Sequence, residues 1–317
     1  MPLRFAGALG KAGFMNALST SANKLDQRPM VGVIWMVLSG FCFVAVTAIV
    51  KQMGSDIPAA QSAFLRYALG LIFVVPMLIV VRHEKVDRDM RRAFVFRGAV
   101  HTIGVMLWFY AMTRIPLAEV SAMGFLSPIY VTIGAALFLG EALRMRRIAA
   151  IAAAIIGALI ILRPGLRVLN DGHVAMVFTA ILFAGSYLLA KQVSGRASPT
   201  MVVTMLSLTV TIGLAPFAFA VWQPVSWIDI GWLFGIAVFA TLGHYLMTFG
   251  LAAAPITVTQ PVGALQLVWS VLLGAMFFGE AVDTWVVIGG VLIVGAVVFI
   301  ALREHQLKRA EAKIIPH

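Results

Sequence analysis

The chain has 317 residues, of which 61% are hydrophobic and only 12% charged, with a formal charge of +11 and a single cysteine. A soluble domain carries about 25% charged residues, so a soluble fold of this size is excluded. The apolar residues fall in blocks near the roughly 20 that a membrane-crossing helix needs, unlike the ~10-residue alternating strands of a barrel, which implies a polytopic all-α membrane protein in a lipid bilayer.

In chain order, residues 1–30 carry Arg4, Lys11, Lys24 and Arg28 with a broken apolar run. They read as a cytoplasmic tail and not as a signal peptide. Ten spans follow at about 31–50, 59–81, 96–113, 117–139, 147–162, 173–190, 200–222, 230–251, 257–278 and 284–302, and 304–317 reads as a second cytoplasmic tail. Ten spans put both termini on one side, called here the near side. The near segments hold 19 Lys and Arg and the far segments 4, with Arg66 inside a span. The positive-inside rule makes the near side cytoplasmic, in a plasma membrane of bacterial inner-membrane type. The same rule accounts for the basic charge, so no nucleic-acid partner is expected. Cys42 has no partner for a disulfide, and no zinc or redox spacing exists, so no metal and no cofactor are expected.

The chain repeats internally. Residues 115–143, "IPLAEVSAMGFLSPIYVTIGAALFLGEAL", align without a gap on 254–282, "APITVTQPVGALQLVWSVLLGAMFFGEAV". At that offset of 139, Pro116 meets Pro255, Gly124 meets Gly263, and Gly140-Glu141 meets Gly279-Glu280. "VKQMG" (50–54) meets "AKQVS" (190–194) at an offset of 140. The two repeats, 31–165 and 170–303, hold five spans each. An odd number inverts the second repeat, an architecture that secondary transporters use to build a substrate site near the midplane.

With Ile115-Pro116, Ser127-Pro128, Leu139-Gly140-Glu141, Ala254-Pro255 and Phe278-Gly279-Glu280 in ten spans, the sequence resembles the EamA-type transporters of the drug/metabolite transporter superfamily. The resemblance covers about 31–303. It implies ten helices in two inverted five-helix repeats around a central cavity lined mainly by spans 3, 4, 8 and 9. It also implies transport of small organic metabolites such as amino acids, their derivatives, vitamins or nucleotide-like compounds. Leu267 stands where the first repeat has Pro128, so the two central helices are expected to bend differently.

Several residues carry candidate chemistry. Ser127 and its counterpart Gln266 lie about 15 Å deep from opposite faces, with Tyr130 and Trp269 one turn further on. These four, with Trp108, Tyr110 and Tyr245, form the expected substrate pocket, or else hydrogen-bond between helices. Arg66 lies about 10 Å below the far surface. Either it snorkels outward, or it faces inward near Glu119 as a gate or a holder of an anionic substrate group. His244 lies deep in span 8, where it either couples transport to protons or makes a neutral helix contact; His101 is a weaker case. Gln260 and Pro261 are expected to open span 9 locally. Glu141 and Glu280 follow helix-ending glycines a bilayer apart and read as turns, not as a catalytic pair.

The expected function is secondary transport of a small organic metabolite, amino-acid-like or with a flat or cationic part, by alternating access with or without proton coupling. A vitamin or cofactor importer, riboflavin-like or S-adenosylmethionine-like, is the alternative. No nucleotide-binding loop is present. An intramembrane enzyme using Ser186 with His244 as base is a remote reading, so no catalytic residues are expected.

Overall fold

The computed structural model describes residues 29–139, 145–166, 168–193, 196–253, 262–263 and 265–314. The helices are α1 (Pro29–Met53), α2 (Ala59–Val81), α3 (Arg88–Met112), α4 (Leu117–Gly124), α5 (Leu126–Leu139), α6 (Met145–Leu162), α7 (Asp171–Val193), α8 (Pro199–Ala220), α9 (Trp227–Ala253), α10 (Leu265–Phe278) and α11 (Thr284–Ile314). Among the described residues nine stretches are long and apolar enough to cross a membrane, one of them running through α4 into α5, and α10 is a shorter apolar tenth. No strand occurs among the described residues.

Local chemistry sets the helix ends. Asp87 accepts a hydrogen bond from the Met90 amide at 2.8 Å, so α3 starts eight residues before the apolar block does. Ser198 accepts one from the Met201 amide at 3.1 Å, ahead of Pro199 in the first turn of α8. Past Arg303, "EHQLKRAEAK" is rich in strong helix formers, and α11 runs on to Ile314 through the segment expected to be a tail.

Span 4 is two helices, not one. The break falls at Phe125, between Gly124 and Leu126. Pro128 lacks the N–H that would bond to the Gly124 carbonyl four residues back, and its ring crowds that carbonyl, so the ladder parts there. The corresponding start of span 9, with Gln260 and Pro261, lies outside the described residues.

The packing shows the inverted symmetry. α1 pairs with α9 and α7 pairs with α3, while α2 pairs with α8 and α6 with α11 across the relating axis. One polar detail recurs with it. The Ser39 hydroxyl donates to the Gly243 carbonyl at 2.8 Å, and its counterpart Thr179 donates to the Gly104 carbonyl, the counterpart of Gly243, at 3.4 Å. At the α6–α11 crossing the backbones nearly touch: a Cβ on Gly157 would sit 2.7 Å from the Gly289 carbonyl oxygen. Small residues permit this approach where the lipid supplies no hydrophobic drive between helices.

Candidate functional site

The far side is tied shut by polar contacts. The Gly279 backbone takes a φ of +61° after α10, and the Glu280 amide donates to the Gly274 carbonyl at 3.0 Å, a Schellman-type stop. The turn is as expected, but the carboxylate does not cap its own next helix. It accepts from the Leu117 amide at 3.0 Å, capping α4 of the other repeat, and pairs with Lys51 at the end of α1. Lys51 also donates to the Ile115 carbonyl at 3.1 Å. Arg163 pairs with Asp283. Gln61 donates to the Gln223 carbonyl at 2.7 Å and accepts from the Gln223 amide at 2.9 Å. Glu141 lies outside the described residues. Beside these ties, a cavity of about 400 Å³ is lined by Met53, Ser62, Tyr110 and Arg114 among others.

Glu119 belongs to this far layer. Its carboxylate meets His173 Nε2 at 2.5 Å, both side chains being buried, and this joins α4 to α7. The expected Arg66–Glu119 pairing is therefore replaced by Glu119–His173. Arg66 is only 8% exposed, which rules out an outward snorkel. Its guanidinium lies over the Tyr67 ring at 4.0 Å from the centroid.

The structure does not gather the expected pocket into one contact set. Ser127 is buried at the start of α5, which packs on α7. Gln266 and Trp269 face α1: Gln266 lies beside Gly40, and Trp269 meets Phe41 edge-on at 6.1 Å. The two counterpart pairs thus sit against the sibling helices α7 and α1. Spans 4 and 9 are joined instead by Ser121 and Ser270, whose hydroxyls are 2.5 Å apart. Trp269 has a second property: its Nε1–H is buried without a hydrogen-bond partner among the described residues. Tyr130 is half-buried against the main core. Trp108 packs edge-on to Phe109 and Phe183. Tyr110 lines the far cavity with Arg114 stacked on it at 3.5 Å. Tyr245 donates its hydroxyl to Met77 Sδ at 3.0 Å and is 37% exposed.

Nearer the middle, the imidazoles are brought together with charge that the sequence did not assign to the centre. His101 Nδ1 lies 3.2 Å from the Ser186 hydroxyl, and His101 stacks on Phe183 at 4.7 Å. Ser186 is thus partnered by His101, not by His244, which meets Phe43 edge-on at 5.0 Å. Arg66 and Arg97 are both within electrostatic reach of His101 and of His244. Arg97 is in turn within reach of Tyr67 and Tyr187. Sequence analysis had counted Arg97 with the near-side loop. It is buried in α3, and its guanidinium donates to the Val202 carbonyl, in the first turn of α8, at 3.0 Å. The signal was present: Arg97 sits within the otherwise uncharged run "AFVFRGAVHTIG".

On α7 the face formed by His173, Met176, Ala180 and Ala184 is buried, and the next residue on it, Tyr187, is 50% exposed.

Known proteins share the two-repeat organisation. The profile of the EamA-like transporter family matches residues 30–163 and 170–302, one match per repeat. A riboflavin transporter of Rhizobium johnstonii is 30% identical over 296 residues, covering 92% of this chain and 98% of its own. A pseudopaline exporter of Pseudomonas aeruginosa is 27% identical over 267 residues, 84% of this chain and 94% of its own. An S-adenosylmethionine uptake transporter of Rickettsia prowazekii is 24% identical over 278 residues, 87% and 94%. A crystal structure 18% identical in sequence superposes with a TM-score of 0.55 over 86% of this chain and 97% of its own, a likeness of fold. The chain belongs to the EamA-like transporter family of the drug/metabolite transporter superfamily and is a multi-pass membrane transporter of small metabolites.

Proposed function

We propose that the protein carries a flat, ring-bearing metabolite of vitamin or cofactor size, with riboflavin as its first model, and that it binds this cargo between the two repeats and releases it by alternating access. The observation that carries the reading is Trp269. Its ring is half-buried and its indole N–H is buried without a partner among the described residues. An orphaned buried donor costs roughly 1–3 kcal/mol, so the site gains when a cargo acceptor reaches it. Gln266, one turn earlier, supplies amide donors and acceptors for the edge of a planar ring. The named activity of the Rhizobium johnstonii relative supports the same class of cargo. A flat cargo is preferred to a cationic one because the charges buried near the centre, Arg66 and Arg97, are themselves positive.

The near side is the cytoplasm in this reading. With Arg97 moved into the membrane, the near segments still hold 18 Lys and Arg against 4. A bacterial inner membrane is the setting. The Ser186–His101 contact serves as an interhelical bond and not as a nucleophile with its base, since among the described residues no carboxylate pairs with His101 to orient it.

Riboflavin counterflow into liposomes containing only this protein tests the proposal. Saturable uptake is expected, with Gln266→Ala and Trp269→Ala each raising KM at least about five-fold at unchanged expression. Uptake no greater than in protein-free liposomes defeats riboflavin as cargo, and unchanged kinetics in both variants defeats the placement of the pocket. Repeating the assay with and without a pH gradient shows whether protons are coupled through His244.

A further inference from the structure

We propose that the interior of the bundle binds the anionic group of the cargo, a carboxylate or a phosphate, with Arg66 as its principal partner and Arg97, nearer the near side, as a second; this deepens the flat-metabolite reading and rests on it.

Both guanidiniums are buried, Arg66 at 8% and Arg97 at 7% exposure. The buried carboxylate among the described residues, Glu119, is engaged by His173. Neither arginine has an ion pair among the described residues. Arg66 has the Tyr67 ring beneath it and no hydrogen bond among them. Arg97 donates one Nη to the Val202 carbonyl, while its Nε is buried without a partner. An uncompensated charge in a membrane interior costs several kcal/mol and persists where it meets water or a counter-ion on a solute path.

Among the described residues, neither charge belongs to a side-chain pair between helices of the kind that Glu119 and His173 make. The positions matching Arg66 in the second repeat are Met205 or Leu206, and that matching Arg97 is Ile236. The two cations are thus confined to one repeat, where they break the symmetry of the bundle. The imidazoles of His101 and His244 lie in the field of both. No carboxylate among the described residues offsets that field at the centre, so the region favours an anion. A guanidinium that lies over a tyrosine ring and makes no hydrogen bond among the described residues has N–H groups to offer, and its edge fits two oxygens of a carboxylate or phosphate.

The test measures binding to the purified full-length chain by thermal shift and by flavin fluorescence quenching. It uses flat probes in pairs that differ in charge: flavin mononucleotide against riboflavin, and benzoate against benzamide. In the wild type the anionic member of a pair is expected to bind at least ten-fold more tightly. In Arg66→Gln the preference is expected to fall below two-fold, and Arg66→Lys, which keeps the charge and loses the fork, is expected to lie between. Equal affinity within both pairs, or a preference that survives both Arg66→Gln and Arg97→Gln, overturns the anion site; if riboflavin still binds, the flat-metabolite reading stands. Arg66-dependent binding of benzoate with no binding of either flavin upholds the anion site and defeats the flavin-sized cargo. No binding of any probe defeats both. The wild-type comparison needs no variant, so it decides the matter even if Arg66→Gln fails to fold. Between the two flavin- and benzene-based pairs, the tighter anion shows whether phosphate or carboxylate is preferred.

Discussion

Glu280 does two things at once: it accepts from the Leu117 amide at the start of α4, and it neutralises Lys51. Removing it leaves a helix amide without its acceptor and a half-buried ammonium with only the Ile115 carbonyl. Glu280→Ala is therefore expected to destabilise the protein by ~1–3 kcal/mol. Lys51→Met is expected to lose less, since Glu280 would keep its bond to Leu117. Thermal unfolding of the two variants checks this, and a larger loss in Lys51→Met would show that the ion pair, not the cap, dominates. The "FGE" stretch made the turn legible in the sequence, because a glycine before a polar residue at the end of an apolar block stops a helix. The helix that receives the carboxylate was not legible, because Leu117 is 163 residues away. The same reason explains Arg66 and Glu119: depth in the membrane follows from counting residues, but a partner depends on which face each helix turns inward. His173 begins an apolar block with little to mark it until α4 and α7 are brought side by side.

Helices were easier to read than contacts. Nearly all the expected spans coincide with helices, because apolar length is itself the requirement for crossing lipid. The differences have local causes: Asp87 starts α3 early, and Pro128 splits span 4 at Phe125, three residues before the proline. The α6–α11 pairing depends on backbone approach, and Gly157 and Gly289 are its narrowest point. A methyl group at Gly157 would press on the Gly289 carbonyl, and with helices on both sides there is little slack. Gly157→Ala is expected to cost about 1–3 kcal/mol of stability. Gly295→Ala, on the same helix α11 but with nothing within 4 Å of the new carbon, is expected to be neutral or stabilising. Equal melting temperatures for the two would show that the crossing is looser than the structure has it.

The inverted repeat was the most informative feature of the whole chain, because an offset held over 29 residues in each copy fixes topology without any contact being known. Symmetry was a poorer guide to the centre. It suggested a pocket of matched pairs, Ser127 with Gln266 and Tyr130 with Trp269, whereas these pairs face sibling helices and the charges at the centre are unmatched. Specificity for a particular cargo requires such departures, since two equal halves would offer an asymmetric molecule the same groups twice. The far side is held by Lys51–Glu280, Arg163–Asp283, Glu119–His173 and Gln61–Gln223, while the buried face of α7 ends at the half-exposed Tyr187. A centre open to one side at a time is what the account requires of a transporter. Labelling of Tyr187→Cys, in a Cys42→Ala background, by a membrane-impermeant maleimide measures it directly. Reaction from the near side alone is predicted, with far-side reaction appearing when Glu280→Ala is added. Reaction with lipid-soluble maleimide only, from neither aqueous side and regardless of Glu280, would place Tyr187 against acyl chains and contradict the shared interior.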